Sequence, residues 1–172
     1  MTAAEAVGLR GLRWLWLAAV VIVADQATKA LITSSFEPYE VLEVLPVLEI
    51  TRLHNTGAAF SMLAGASGWQ RWFFVVLASV VSLGIAFWLW RMPRGAPAWL
   101  PAGLALVMGG ALGNVIDRLA HGHVIDFLHF HWQQWYFPAF NVADSAITVG
   151  AGLLILDAML EARRSRPQGE TP

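Results

Sequence analysis

The sequence predicts an all-α membrane protein of four transmembrane helices, with a small sheet and a short surface helix outside the bilayer. Two observations carry this class. Of 172 residues, 57% are hydrophobic and only 13% charged, with a mean hydropathy of +0.56; soluble domains carry about 25% charged residues. Four stretches also hold enough apolar residues to cross the hydrocarbon core, which takes about 20. The net charge of -1 gives no footing for nucleic acid, and the absence of cysteine excludes disulfides, thiolate catalysis and Cys-ligated metal centres.

The first span covers roughly residues 12–32 and carries Asp25 and Lys29 in its second half. Its apolar run is too long for the h-region of a cleaved leader, so it reads as a retained span. The second covers 69–90, uncharged from Trp72 onward to Trp90, and the third covers 98–116, uncharged throughout. The fourth covers 141–160, with Asp144 near its start and Asp157 near its end. Gly109 and Gly113 on span three, facing Ala143, Ala146 and Gly150 on span four, permit close helix packing. Tail residues 163–172 read as disordered. The whole of 1–172 reads as one membrane domain.

Basic residues orient the spans. Arg10, Arg13, Arg91, Arg94, Arg163, Arg164 and Arg166 share one side if both termini are cytoplasmic. Loops 33–68 and 117–140 then face outward. Several tryptophans, Trp132 and Trp135 in the second outer loop among them, sit where a membrane interface would be. Within loop one, 39–53 is rich in Val, Leu and Ile interleaved with Glu40, Glu43 and Glu49, which predicts short strands broken at Pro46. Residues 56–64 predict the surface helix.

Two carboxylates stand out. Asp126 and Asp144 both fall at the outer membrane face, where a carboxylate is costly and therefore rare unless it works. Each has an ordinary alternative: Asp126 as a loop carboxylate, Asp144 as a cap on span four, where Asn141 is an equally good cap. Held together in a poorly hydrated site, the two cannot both ionise cheaply, and such a pair can activate water and protonate a leaving amine.

Other polar residues divide by face. Asp25 and Lys29, four apart, share a helix face and read as an ion pair or as electrostatic support. Asn114 and Arg118 share another and offer donors for a substrate carbonyl, whereas Asp117 points elsewhere and reads as structural. His121, His123, His129 and His131 flank Asp126 and would share one side of an extended strand, a possible zinc site. Their spacing matches no metal motif, and plain interfacial histidines are the ordinary reading.

Five boxes in order, D-Q-A-T-K (25–29), N-T-G-A-A-F (55–60), G-N-V-I-D-R (113–118), V-I-D-F (124–127) and F-N-V-A-D-S-A-I (140–147), resemble those of the bacterial lipoprotein signal peptidases, the signal peptidase II family. The resemblance spans nearly the whole chain. It implies four transmembrane helices with an extracytoplasmic β-cradle and an interfacial helix in the inner membrane. It implies an aspartyl endopeptidase that cuts diacylglyceryl-modified prolipoproteins just before the lipidated cysteine, with Asp126 and Asp144 as the catalytic dyad. Asn55, Gly57, Asn114, Arg118 and Asn141 carry over as active-site support and substrate contacts, and Asp25 and Lys29 less firmly. No metal or other cofactor is expected. The implied partners are prolipoproteins and membrane lipid, with globomycin as inhibitor, and the chain is expected to act as a monomer. The histidines have no place in the pattern. Two rival classes stay open on the residues alone: a metal-dependent hydrolase built on the histidines, and an ion or proton transporter. The carboxylates cluster on one side, which speaks against transport.

Overall fold

The computed structural model describes residues 11–57, 68–93 and 95–164. Four helices, α1 (Leu15–Ser35), α2 (Trp69–Arg91), α3 (Trp99–His121) and α4 (Val142–Arg164), are each long and apolar enough to cross a membrane. Their outward faces carry Val20, Val23, Val76, Leu83, Val149 and Ile155, all exposed, as lipid-facing side chains should be.

The helix α3 is the centre of the bundle. Of its apolar window 56% is buried, against 28% or less in the others, and it packs on α1, α2 and α4. Glycines set these distances. A Cβ on Gly110 would run into the carbonyl oxygen of Ala143, and one on Gly109 would lie 2.8 Å from the oxygen of Ala18. The backbones therefore touch at a level that side chains would forbid. The expected close packing of spans three and four is present.

The same end of the bundle carries a four-stranded antiparallel sheet in the order β1-β2-β3-β4: β1 (Val41–Leu45), β2 (Leu48–Asn55), β3 (Val124–Trp132) and β4 (Trp135–Tyr136). The first hairpin turns at Pro46, where proline withdraws an N–H from the ladder. Loop two supplies the partner strand β3, which the sequence reading left as loop. Ile32, Ile125 and Phe127, with Phe36, Ile50, Leu128 and Val142 against them, form the core between sheet and helices. Two caps join the parts: Arg52 Nη1 donates to the carbonyls of Thr33 and Phe36 at the end of α1, and Gly122, at φ +83°, closes α3 with its N–H on the carbonyl of Arg118.

Three expectations on boundaries change. Span three does not stop at 116; the helix runs on to His121 because Asp117 and Arg118 are buried against protein rather than released to water. Arg163 and Arg164, assigned to a disordered tail, close α4, and 165–172 lie outside the described residues. Of the predicted surface helix at 56–64, Thr56 and Gly57 are not helical, and 58–64 lie outside the described residues.

Candidate active site

Asn141 holds the centre of the site. It is the residue before α4, fully buried. Its Oδ1 accepts from the Asp144 N–H at 2.9 Å, while Asp144 Oδ2 accepts from the Asn141 N–H at 3.3 Å. This is a reciprocal capping box that satisfies two free donors at the helix start. The remaining side of Asn141 points at the other carboxylate, its Nδ2 donating to Asp126 Oδ1 at 2.7 Å. Asp126 comes from β3 and is only 3% exposed. One asparagine thus links the two carboxylates, and both line a cavity of about 810 Å³ whose wall also includes Asn55, Gly57, Asn114 and Arg118. Cap and candidate catalyst are therefore not alternatives for Asp144; its two oxygens divide the tasks.

Three asparagines all present their NH₂ groups to these carboxylates, and in each the amide orientation is determined by chemistry. Asn114 Nδ2 donates to Asp144 Oδ1 at 2.8 Å, because its Oδ1 faces Lys29 Nζ at 3.0 Å and an ammonium has nothing to accept with. Asn55 Nδ2 donates to Asp126 Oδ2 at 3.0 Å, because its Oδ1 takes the Gly57 N–H at 2.9 Å. Asn141 is fixed by the Asp144 N–H in the same way. Among the described residues, each of the four carboxylate oxygens accepts one hydrogen bond.

Behind Asn114 lies a buried ionic cluster. Lys29 Nζ is 2.8 Å from both Asp25 Oδ2 and Asp117 Oδ2, with the three side chains at most 2% exposed. Asp25 Oδ1 accepts from the Ala143 N–H at 2.9 Å, and Asp117 Oδ2 from the Ile125 N–H at 3.1 Å. The ion pair of Asp25 with Lys29 follows from helical spacing. Asp117, read as structural, is the third member, though its partner Lys29 was not foreseen; the donor Gln26, which bonds Asp117 Oδ1 at 2.9 Å, escapes the sequence reading. The only sequence signal for Gln26 was its place inside the first box.

Arg118 Nη2 donates to the Gly57 carbonyl at 2.9 Å, and its guanidinium carbon lies 4.9 Å from the Phe74 ring centre. It does reach the cavity. Asn114 also lines the cavity, with its Oδ1 on Lys29 and one amide proton on Asp144. Burial first, and the charge of Asp144 second, push Asp126 up to about 7, against the pull of Asn55 and Asn141.

The histidines do not line one strand, as the sequence had suggested. His121 ends α3 and His123 precedes β3, its ring stacked 4.0 Å from that of His54. His129 and His131 lie on β3 beside Glu49, at 3.3 and 3.6 Å. Among the described residues no three His or carboxylate side chains converge with metal-binding geometry.

A family model described as signal peptidase (SPase) II matches residues 17–160. Curated proteins named lipoprotein signal peptidase are close in sequence: one from Pseudomonas aeruginosa PAO1 is 52% identical, over 92% of each chain, and one from Pseudomonas fluorescens Pf0-1 is 53% identical, over 96% of each. Another, from Shewanella woodyi, is 52% identical over 87% of this chain and 84% of its own. A bacterial membrane enzyme structure, obtained by the in meso method at 2.3 Å resolution, superposes with a TM-score of 0.77 at 30% identity, covering 93% of this chain and 94% of that one.

Proposed function

The chain belongs to the signal peptidase II family, and on that premise we propose that it is an aspartic endopeptidase whose dyad is Asp126 and Asp144. The family supports cleavage of signal peptides from prolipoproteins. The finer reading is that the substrate cysteine already carries diacylglycerol and that the cut falls just before it. Support for the dyad comes from one observation above others: two buried carboxylates from different elements, linked through Asn141 at the wall of one cavity.

In this mechanism the pair holds one proton at neutral pH. Asp126, raised to about 7, carries it and polarises the scissile carbonyl. Asp144 accepts a proton from water, which attacks that carbonyl. On collapse Asp144 passes the proton it took from water to the leaving amine, and Asp126 recovers the one it lent to the carbonyl oxygen, so the pair ends with one proton as it began. Arg118 lends positive charge to the developing oxyanion from its place in the cavity wall. Asn55, Asn114 and Asn141 hold the carboxylates in register, Gly57 ties Arg118 to the end of β2, and Asp25 and Lys29 fix Asn114. The acyl chains of the substrate stay in the bilayer beside the helices. With both termini cytoplasmic, the site faces the outer side of the inner membrane, and globomycin competes for it.

The test is a gel-shift cleavage assay in detergent with a diacylglyceryl-modified substrate. Asp126→Asn and Asp144→Asn each abolish cleavage while still unfolding in a single cooperative thermal transition. Near-normal turnover by either variant defeats the dyad.

A further inference from the structure

Cross-strand pairs in an antiparallel ladder share a face, so the register sorts the sheet into two sides. One carries Glu43, Glu49, His129, His131 and Tyr136, with the buried Ile125 and Phe127 further back along β3. The other carries Leu42, Leu48, Ile50, Leu128, Phe130, Trp132 and Trp135. The inner part of this apolar side is covered, since Ile50 and Leu128 pack against the cluster of Ile32, Ile125 and Phe127, with Phe36 and Val142 beside it. The outer part is bare. The hairpin of β3 and β4 extends past the first residue of β2, Leu48, which pairs with Phe130. Beyond it Trp132 and Trp135 face each other at 70% and 84% exposure.

The level of this overhang follows from its neighbours. Phe130 stacks on Phe140 at 6.0 Å, and Phe140 is one residue before the Asn141 cap of α4. The bare aromatic face therefore lies close to the start of α4, the helix on which Val149 and Ile155 are exposed further along. Indole rings favour that zone, one edge apolar and the N–H wet. The turn itself, Gln133 and Gln134, is polar and uncharged, with Gln133 at φ 55°.

We propose that the β3–β4 hairpin is a membrane anchor separate from the four spans, its Trp132 and Trp135 seated at the headgroup–acyl boundary of the leaflet on the sheet side. The occupant of the bare face is the bilayer itself. The anchor ties β3, and with it Asp126, to the membrane plane. Phe137, which follows β4, carries the connection on to the cavity wall.

The chain has no native cysteine, so single labels are unambiguous. Trp132→Cys and Trp135→Cys carry a nitroxide in vesicles of phosphatidylethanolamine and phosphatidylglycerol, with Glu43→Cys as the water-facing reference and Val76→Cys as the mid-span reference. Collision rates with oxygen and with a water-soluble nickel chelate are measured by power saturation. The expected result at 132 and 135 is an oxygen-to-nickel ratio several-fold above that at 43 and below that at 76. A ratio equal to that at 43 overturns the proposal. So does nickel protection that disappears when one chain is isolated per nanodisc, which assigns the face to a second copy. A second measurement uses the mild pair Trp132→Phe/Trp135→Phe: the fluorescence that this variant loses is expected to be the part quenched by brominated lipid, and an unquenched difference overturns the anchor.

Discussion

Replacing Lys29 by Met tests the buried ionic cluster most directly. Two carboxylates, Asp25 and Asp117, lie 2.8 Å from the ammonium with at most 1% exposure. Without Lys29 they face each other with no counter-charge, and breaking a buried pair this way costs about 3–5 kcal/mol. For a chain of this size that corresponds to a fall of roughly 6–20 °C in the melting transition. A second effect is local to Asn114. Its Oδ1 loses the shorter of its two donors and keeps only the 3.3 Å bond from Asn141 Nδ2, so the amide is held less firmly and its bond to Asp144 Oδ1 weakens. The double variant Lys29→Met/Asp117→Asn separates the two. It removes one stranded charge and is expected to regain at least half of the lost stability, yet its kcat stays about tenfold or more below wild type, since a hydrogen bond to a charged group contributes about 1.5–3 kcal/mol. Intrinsic fluorescence melting in detergent and the gel-shift assay read the two effects independently. A Lys29→Met enzyme within 2 °C of wild type, or a double variant with full activity, refutes the reasoning.

Three further outcomes follow from the same geometry. Asn141→Ser keeps a capping oxygen for α4 but removes the amide donor to Asp126; stability is expected to stay within about 1 kcal/mol while kcat falls roughly ten- to a hundredfold, measured by melting and initial rates. Asp126 binds its proton more tightly in the folded chain, near 7, than the unfolded value of 3.8. Stability from this group is therefore complete below the unfolded value and lost as pH rises through about 7. Asp126→Asn, which stays neutral, is thus expected to melt above wild type at pH 8, with the gap closing at pH 5, and wild-type cleavage should decline on the alkaline side of neutrality. Gly110→Ala pushes a Cβ into the Ala143 carbonyl, two residues after Asn141; overpacking of about 1–3 kcal/mol and a drop in cleavage are expected, and a silent substitution would show that α3 and α4 separate freely.

Much of this architecture was legible because lipid is a demanding solvent. Four spans follow from hydropathy, and the pairing of Asp25 with Lys29 from helical spacing alone. The first hairpin followed from alternation and Pro46. What was not legible depends on partners distant in sequence. The run V-I-D-F-L-H-F-H becomes a strand only because β2 offers it an edge, and it lies next to a helix whose last turn is held by burial of Asp117 and Arg118 rather than by apolar content. Asp117 was assigned a structural role by its helix face, but its ion pair reaches across to Lys29 on another helix. Asn114 was read as one of two donors on a shared face; spacing shows which face a side chain occupies, not that its oxygen takes Lys29 and one of its amide protons goes to Asp144.

The cluster around Lys29 also has a consequence for biogenesis. Its members arrive at the membrane at different times: α1 is synthesised first, and Asp117 and Asn114 follow only after α2 and most of α3 have emerged. During that interval α1 holds a carboxylate and an ammonium in the hydrocarbon with each other as local partners, one helical turn apart. The pair is thus the travelling form of the site, able to enter lipid nearly neutral. Arrival of α3 recruits it into the larger network, and the donor that orients Asn114 is already in place when the last helix docks.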